Sequence, residues 1–453
     1  MKNASPRILL VSANICQEPY KVFPLGMMCL HTYITEHYPN WNVSFFDFNL
    51  QNYEAFSTLL EETPFDYICI SLRNCDDVNF FAQNSFVNHY VHICNISRQK
   101  TRAKLIAGGP CLSIFPEEIF NLLNIDYAIV GEGEMSLVAL ISNLESDKNV
   151  KDIEGLVYRS DGKIIVNPKT KFVAQSNIKF EKNLAQYYFN EGGMLNIQTK
   201  RGCPYQCIYC SYPVIDGKQI RTLDPNLVVE NMKTLYFEQK INYLFFTDSV
   251  FNICEEYNIE LAHKIIESGV KINWGAYFAP NNFIKENMAL YKRAGLTHIE
   301  FGTDSLSDTQ LVNYKKHFTF NDIKNASDIC YELGIFYAHF LILCGIGETE
   351  NTLNETFENA KKIERTVFFP FIGMRIYPKT ELYHLALSEG LISKEDALKP
   401  VYYVSKNCDL ETLAERAAQT GKRWVFPNDE KDPIVDQLRA RKRRGPLWEY
   451  LRG

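Results

Sequence analysis

Three cysteines in a Cys-x3-Cys-x2-Cys run constrain this chain of 453 residues more than any other feature. Cys203, Cys207 and Cys210 follow residues 195–199, a short alternating segment that is typical of a β-strand. Three thiolates within eight residues favour a soft metal, and iron–sulfur clusters are held by thiolates of this kind. Three ligands would leave one iron of a four-iron cluster open, as catalytic zinc sites leave one position open. A structural zinc site needs a fourth Cys or His at short spacing, and none stands there.

The alternative is three core cysteines that fall together by chance. The chain has 13 cysteines, and a run this tight among so few is improbable. Their number is odd and many lie in apolar segments, which is typical of reduced thiols and predicts a cytoplasmic protein.

Composition excludes several classes of protein. Apolar residues make up 46% of the chain and aromatic residues 13%, which excludes intrinsic disorder. The formal net charge of −6 gives no general attraction to nucleic acid or to an anionic membrane surface. The sequence has no run of 18 apolar residues, so we expect no transmembrane segment.

Residues 1–145 are predicted to form an α/β domain with a doubly wound, Rossmann-like parallel sheet. Short apolar segments alternate there with longer segments of helical periodicity, such as residues 25–37 and 114–123. Ligands bind such sheets beyond the carboxyl ends of the strands. The predicted strands are residues 8–12, 43–48, 67–72, 104–107 and 127–130.

Residues 191–400 are predicted to form a partial (β/α)6 TIM barrel, with its active site at the carboxyl ends of the strands. Residues 146–190 are a connector, with a hairpin at 156–166 and an irregular polar stretch at 167–191. Residues 401–453 are a C-terminal extension. The predicted barrel strands are residues 195–199, 243–247, 272–278, 298–301, 336–343 and 369–377, and the predicted helices are residues 225–238, 256–268, 285–294, 321–333 and 349–364.

The cysteine run, with Tyr209 before its last cysteine, resembles the signature of the radical S-adenosylmethionine (SAM) enzymes. The resemblance implies that Cys203, Cys207 and Cys210 hold a catalytic [4Fe–4S] cluster. It also implies that the open iron chelates the amino and carboxylate groups of SAM. An electron from the cluster would then cleave SAM to a 5′-deoxyadenosyl radical.

The first domain resembles the cobalamin-binding domain that precedes many radical SAM cores. The resemblance lies in the Gly108-Gly109-Pro110 turn and in the Gly-Glu-Gly-Glu stretch at 131–134, where glycine lets the backbone approach the corrin and its nucleotide tail. The alternative is that these glycines only make tight turns. The residues predicted to bind cobalamin are Asn14, Leu25, Gly26, Ser71, Leu72, Arg73, Asn74, Gly108, Gly109, Pro110, Gly131 and Glu132.

One departure concerns the cobalt ligand. Cobalamin domains with a D-x-H-x-x-G motif supply a histidine after the first strand, but residues 12–26 contain no histidine. The resemblance then implies that the lower face of the corrin is left free or is capped by a loop such as residues 73–77.

The resemblance also assigns SAM contacts to the carboxyl ends of the barrel strands, with Asp248 near the amino group, Glu300 at the ribose and Arg375 at the carboxylate. The alternatives are that Asp248 caps a helix, that Glu300 pairs with Arg375 or Lys315, and that Arg375 forms a structural ion pair. His298 and His339, on strands, are predicted to be core histidines rather than bases. The predicted SAM contacts are Tyr209, Thr247, Asp248, Ser249, Glu300, Gly302, Arg375 and Tyr377.

The whole chain resembles a subgroup of cobalamin-binding radical SAM proteins that are often labelled as lipid biosynthesis proteins. The resemblance implies a C-methyltransferase that uses a 5′-deoxyadenosyl radical and methylcobalamin at an unactivated carbon of a lipid-like, polyketide or other secondary-metabolite substrate. The first alternative is carbon–carbon bond formation or ring rearrangement without methyl transfer. The second is a non-catalytic cobalamin or iron–sulfur sensor.

The resemblance also bears on partners. It implies an electron donor such as a flavodoxin or a ferredoxin, and no nucleic-acid partner is expected. By analogy with related enzymes, the C-terminal extension would close over the substrate. Its basic run at 439–444 is predicted to be a solvated helix face, with a phosphate contact as the alternative.

Overall fold

The computed structural model describes residues 5–17, 20–173, 177–393, 396, 398–426, 437–438, 440–441, 443 and 445–451. Within these ranges the chain forms two seven-stranded sheets and two two-stranded ribbons. None of the helices in these ranges combines the length and the apolar character needed to cross a membrane. Half of the basic run, residues 439, 442 and 444, falls outside the described residues.

The first sheet has the strand order β2-β1-β3-β4-β5-β6-β7, and its first five strands are parallel. Both faces of β1 are buried, because Leu9 and Val11 pack into one core cluster and Ile8 and Leu10 into the other. A sheet buried on both faces is the doubly wound arrangement that the sequence predicts. The strands are β1 (Arg7–Ser12), β2 (Asn42–Asp47), β3 (Tyr67–Ser71), β4 (Lys104–Gly108), β5 (Tyr127–Ile129), β6 (Leu156–Ser160) and β7 (Lys163–Val166).

Helices cover both faces of this sheet. One face is covered by α1 (Leu25–His37) and α6 (Glu134–Glu145), and the other by α2 (Tyr53–Glu62) and α3 (Val87–Lys100) with two short helices. The helix predicted at 114–123 forms as α5 (Pro116–Leu123) and begins two residues later than predicted. A short helix, α4 (Pro110–Ile114), precedes it, and the two are separate because Pro116 lacks the N–H that would continue α4.

The predicted hairpin is confirmed, and it extends the first sheet, because β6 pairs antiparallel with β5. The irregular stretch predicted at 167–191 is partly wrong, since α7 (Lys182–Gly192) occupies its end. The Glu181 side chain caps this helix by accepting hydrogen bonds from two backbone N–H groups of its first turn. Leu184, Ala185 and Tyr188 are buried against the second domain, and this buried face stabilises the helix.

The second sheet is an open barrel with the order β18-β15-β14-β13-β12-β11-β8, and all its neighbours are parallel. The six predicted strands form, and the C-terminal extension adds a seventh. The predicted sixth strand ends at Gly373, whose φ of +67° turns the chain into a separate ribbon. The strands are β8 (Leu195–Ile197), β11 (Tyr243–Phe246), β12 (Asn273–Phe278), β13 (Leu296–Asp304), β14 (Phe336–Leu343), β15 (Val367–Ile372) and β18 (Arg423–Trp424), and the ribbons are β9 (Lys200–Arg201) with β10 (Arg221–Thr222) and β16 (Met374–Arg375) with β17 (Tyr402–Tyr403).

The helices of the second domain lie between and after these strands. The predicted helix at 225–238 continues beyond its α-helical part as a π-helical turn, Thr234–Glu238. The α-helices are α8 (Tyr212–Ile215), α9 (Pro225–Lys233), α10 (Glu255–Glu267), α11 (Lys285–Arg293), α12 (Asp308–Asn313), α13 (Phe320–Leu333), α14 (Glu350–Ala360), α15 (Glu381–Ser388) and α16 (Leu413–Gln419).

Buried polar contacts join the carboxyl ends of the two sheets. The Arg201 guanidinium, after β8, lies 2.9 Å from Glu134, which follows β5. Arg375, after β15, donates from Nε to Asp76 at 2.9 Å, and Asp76 follows β3. Since every one of these residues follows the carboxyl end of a strand, the two ligand-binding edges expected from the sequence face each other.

Candidate functional site

The three cysteines lie on one loop and share one pocket of about 250 Å³. The Cys203 N–H donates to the Gly217 carbonyl at 3.1 Å, and the Cys210 N–H donates to the Cys207 carbonyl at 3.1 Å. Gly202 has a φ of +91°, and a Cβ there would collide with the Gln219 carbonyl oxygen. These contacts fix the loop in one shape.

The pocket fits an iron–sulfur cluster better than a single ion. No group of three His, Cys, Asp or Glu side chains in the described part of the chain could hold one metal ion. A cubane does not need such a group, since each thiolate binds a different iron. Burial raises the pKa of Cys207 and raises that of Cys210 to about 12, so iron must displace their protons.

An ion pair that the sequence prediction missed lies beside the cysteines. Lys316 lines the cysteine pocket and pairs with the Asp304 carboxylate, which also accepts a hydrogen bond from the Tyr209 hydroxyl. Although burial opposes it, the charge of Asp304 raises the pKa of Lys316, so the lysine stays charged. The sequence could have identified Asp304 by its position, because Asp304 is the last residue of β13.

Of the predicted SAM contacts, Tyr209, Ser249 and Gly302 line the cysteine pocket. Thr247 does not line it, and both its N–H and its hydroxyl donate to the Ile197 carbonyl, at 2.8 and 3.2 Å. Ser249 donates from its hydroxyl to the Gly202 carbonyl at 2.9 Å, which ties the second barrel strand to the cysteine loop.

Asp248 is fully buried and already bonded. It accepts hydrogen bonds from the backbone N–H groups of Thr199 and Lys200, at 2.7 and 3.0 Å, and its other oxygen lies 3.1 Å from the Lys200 ammonium. The alternative that Asp248 caps a helix is wrong, because α10 begins after Cys254. Its observed contacts hold the chain that leads into the cysteine loop.

Glu300 lies inside the barrel, because β13 continues for four residues beyond it. Its carboxylate accepts a hydrogen bond from the Trp448 indole N–H at 3.2 Å, and burial raises its pKa to about 7. The alternative that it pairs with Arg375 or Lys315 is wrong, since those side chains pair with Asp76 and Glu381.

Arg375 and Tyr377 lie at the interface between the domains and do not line the cysteine pocket. The Tyr377 ring packs edge-on against Phe115 of the first domain, with the centroids 6.2 Å apart. The structural ion pair considered as an alternative for Arg375 is therefore present, with Asp76 as its partner.

The two strand histidines are buried core residues, as predicted. The His298 ring lies 2.7 Å from the Tyr243 hydroxyl, and the His339 ring lies 2.7 Å from the Thr303 hydroxyl. Burial lowers the pKa of both histidines to about 3, which keeps them neutral.

A second cavity, of about 240 Å³, lies at the carboxyl end of the first sheet. Gly109 at its rim has a φ of +98°, and a Cβ there would lie 2.7 Å from the Leu72 carbonyl oxygen, so only glycine fits. Small residues thus leave the backbone open to a ligand, as a cobalamin cradle requires. Of the residues predicted to bind cobalamin, the cavity is lined by Leu25, Gly26, Ser71, Gly108, Gly109, Pro110, Gly131 and Glu132.

The other four predicted cobalamin contacts do not line this cavity. Leu72 is buried, and the Asn74 carbonyl accepts a hydrogen bond from Tyr90. Asn14 is buried, and its side-chain nitrogen has no hydrogen-bond partner among the described residues, so a bound ligand would satisfy it. Arg73 lies close enough to influence Tyr212. Burial raises the pKa of Tyr212, and the positive charge of Arg73 partly offsets this effect.

The second domain completes this second cavity with residues that the sequence prediction missed. Arg201 lines it and binds both Glu134 and Glu132, at 2.9 and 3.3 Å. Asp216 also lines it, and burial raises the Asp216 pKa to about 6. Glu132 and Glu134 are buried and therefore require a cationic partner. The sequence places Arg201 just before the cysteine run, and this position could have identified it as that partner.

One short helix separates the two cavities. Tyr212, the first residue of α8, lines the cysteine pocket, and Ile215, its last residue, lines the second cavity. Three helical steps span only about 4.5 Å. Ligands in the two cavities would therefore lie close to each other.

The described part of the C-terminal extension closes the other end of the barrel. Tyr243 begins β11, and its hydroxyl donates to Glu449 at 2.9 Å. Trp448 packs against His298 with the ring centroids 5.8 Å apart. Residues 445–451 thus lie at the amino ends of the strands, opposite the cysteines, and closure of the extension over the substrate stays a prediction.

Two protein families match this chain, each over a different part of it. Residues 14–141 match the B12 binding domain family, and residues 197–360 match the Radical SAM superfamily. An uncharacterized methyltransferase from Pyrococcus horikoshii is 26% identical over 297 residues, which are 64% of each chain. Tryptophan 2-C-methyltransferase from Streptomyces laurentii is 22% identical over 404 residues, which are 75% of this chain and 66% of that protein. The matches span slightly under two thirds of the length of these relatives.

A solved structure has the same fold along nearly the whole chain. It is the radical SAM methyltransferase TsrM from Kitasatospora setae with tryptophan and a SAM analogue bound. The TM-score is 0.88 at 20% identity, over 98% of this chain and 97% of that chain. The chain thus combines a B12-binding domain with a radical SAM domain, and the ligand-binding edges of the two domains face each other.

Proposed function

We propose that this protein is a cobalamin-dependent radical SAM C-methyltransferase that acts on a small molecule. The observation that carries the proposal is α8, whose two ends line the two cavities. Methyl transfer to a substrate radical requires the methyl donor and the radical source to reach one carbon atom. Two relatives that match much of this chain carry methyltransferase names, which supports this reaction.

When bound, the cluster with SAM supplies a radical and cobalamin supplies a methyl group. The chain's own part is to hold these groups and the substrate in line, because orientation contributes much of the rate in such reactions. Cys203, Cys207 and Cys210 would hold the cluster on a loop that Gly202 and Ser249 fix. Aromatic side chains that line the cysteine pocket, including Tyr212 and Tyr277, would exclude water from the radical.

Product analysis tests the proposal. Reduced protein, reconstituted with iron, sulfide and cobalamin and supplied with SAM and an accepted substrate, should form S-adenosylhomocysteine and 5′-deoxyadenosine together with a methylated product. The alternative with the same cofactors, carbon–carbon bond formation or ring rearrangement, predicts 5′-deoxyadenosine without S-adenosylhomocysteine. Deoxyadenosine alone would exclude methyl transfer.

A non-catalytic sensor is the remaining alternative. Cys207→Ala should remove the cluster absorbance and SAM cleavage together, since a cubane with two protein thiolates is not retained. Cys94→Ala, a buried cysteine of α3 in the other domain, is the matched control and should keep both. SAM cleavage that persists in Cys207→Ala would exclude the enzyme mechanism.

We also propose that the reducing electron comes from a flavodoxin or a ferredoxin. Tyr205 and His317 line the cysteine pocket with their rings 5.2 Å apart, on the side where the loop meets solvent. Reduction of the cluster by either carrier, followed by absorbance, tests this partner.

A further inference from the structure

The buried carboxylate of Glu300 has an acceptor oxygen to spare. The side chain is 8% exposed, and one oxygen accepts a hydrogen bond from the Trp448 indole N–H. No described residue donates to the other oxygen. No described cation pairs with Glu300, and burial together with the Glu449 charge raises its pKa. The other oxygen is not enclosed by the described residues, so a ligand inside the barrel could donate a hydrogen bond to it.

Glu300 lies on the strand whose carboxyl end borders the cysteine pocket. Gly302, two residues further along β13 and therefore on the same face, lines the cysteine pocket. A Cβ at Gly302 would meet no atom within 4 Å, so open space lies beside Gly302, between Glu300 and the pocket. Tyr277, in register with Glu300 on the neighbouring strand, lines the same pocket.

The walls of this space are aromatic. Tyr277 packs edge-on against Phe245 with the ring centroids 4.9 Å apart. Phe340, in register with Gly302, stacks on Phe369 at 5.0 Å. Tyr277 is 37% exposed although it faces the interior of the barrel, so a large apolar surface there has no protein partner. Flat aromatic walls favour a flat aromatic ligand.

Building on the proposed methyl transfer, we propose that this chamber binds an aromatic substrate that carries an N–H or O–H donor, and that Glu300 accepts that hydrogen bond. The donor would anchor one edge of the ring at Glu300 and direct the opposite edge past Gly302 toward the cysteine pocket. An alkyl chain would leave the Glu300 oxygen unpaired, so the chamber discriminates against a purely hydrocarbon substrate. The assignment replaces the ribose contact that the sequence predicts for Glu300.

Binding of two matched probes tests the proposal. The probes are 3-methylindole and 3-methylbenzothiophene, which share one shape, but only the first has an N–H. Equilibrium dialysis against the reconstituted full-length protein, with SAM present and no reductant, should show 3-methylindole bound about 10- to 100-fold more tightly. Glu300→Gln should reduce this preference to a few-fold at roughly unchanged SAM affinity, and Gly302→Leu should weaken both probes.

Glu256→Gln, an exposed change on the outer helix α10, is the control and should behave as wild type. Equal binding of the two probes to wild type would overturn the inference. A loss of SAM affinity in Glu300→Gln with an unchanged probe preference would also overturn it, since it would restore the ribose role. The proposed methyl transfer fails separately, through the absence of S-adenosylhomocysteine, while the probe preference can still hold.

Discussion

At the scale of single residues, Lys316 sets the charge around the cysteine loop. Its ammonium pairs with Asp304 and its charge favours the thiolate form of Cys207, against the larger effect of burial. A cluster with three thiolate ligands carries negative charge that a nearby cation stabilises. Hydrogen bonds, charge and exposure are the levers by which proteins tune the potential of such clusters.

Removal of this cation should make the cluster harder to reduce. In Lys316→Met we expect the reduction potential to fall by about 60 mV, which corresponds to about 1.4 kcal/mol for one electron. The potential falls because the reduced cluster is the more negative form and loses more stabilisation when the ammonium is removed. Redox titration followed by absorbance measures the change. Lys315→Met, next in the chain but paired with exposed Glu381, is the control. Equal potentials in the two variants would contradict this role of Lys316.

Glu348 should make stability depend on pH. Burial raises its pKa to about 7, above the ordinary value of 4.5, although Thr352 and the Cys344 N–H donate to it. The folded protein therefore binds more protons, and its free energy of unfolding falls as pH rises from about 4.5 to 7, by about 3 kcal/mol. Urea unfolding across this range should show a smaller fall in Glu348→Gln; an equal fall in both proteins would refute the assignment.

The sequence predicts a group of residues well when its members are close together in the chain. The three cysteines of the pocket stand out by their local spacing, but the bonds of Asp248 and Arg375 come from residues 48 and 299 positions away. A strand-end position shows that a side chain is near the site. It does not show which distant partner already occupies that side chain.

At the scale of elements, the cysteine loop depends on its glycine turn. In Gly202→Ala the new Cβ would meet the Gln219 carbonyl at a positive φ, so the loop must shift. We expect iron bound per chain to fall by more than half. Gly162→Ala, at φ +78° in the β6–β7 hairpin with no atom near its Cβ, is the control. It should lose about 1 kcal/mol of stability and keep its iron. Equal iron content would contradict the model of a fixed loop.

Secondary structure was predictable where periodicity was strong. The predicted bounds of α1 and β14 match the structure. The sequence missed α7, whose stability comes from packing against the second domain, and it ended β13 too early. That shortened strand put Glu300 at the mouth of the barrel, whereas its place inside the barrel carries the substrate inference.

At the scale of the whole molecule, a buried ion pair holds the two domains together. Arg375 and Asp76 are each at most 5% exposed. Arg375→Met would leave Asp76 buried without its partner, which should cost about 3–5 kcal/mol in urea unfolding. Lys285→Met, at an exposed pair with Glu332, should leave the free energy of unfolding nearly unchanged. Similar losses in the two variants would show that the pair does not hold the interface.

The central claim is that the cluster and the corrin lie close together, in two cavities on either side of α8. Power saturation of the cob(II)alamin electron paramagnetic resonance signal tests it most directly, because a nearby reduced cluster relaxes the cobalt spin. We expect the signal to be harder to saturate when the cluster is reduced, and this effect to vanish in Cys207→Ala. A cobalt signal with the same saturation in both proteins would place the two groups far apart and contradict the account.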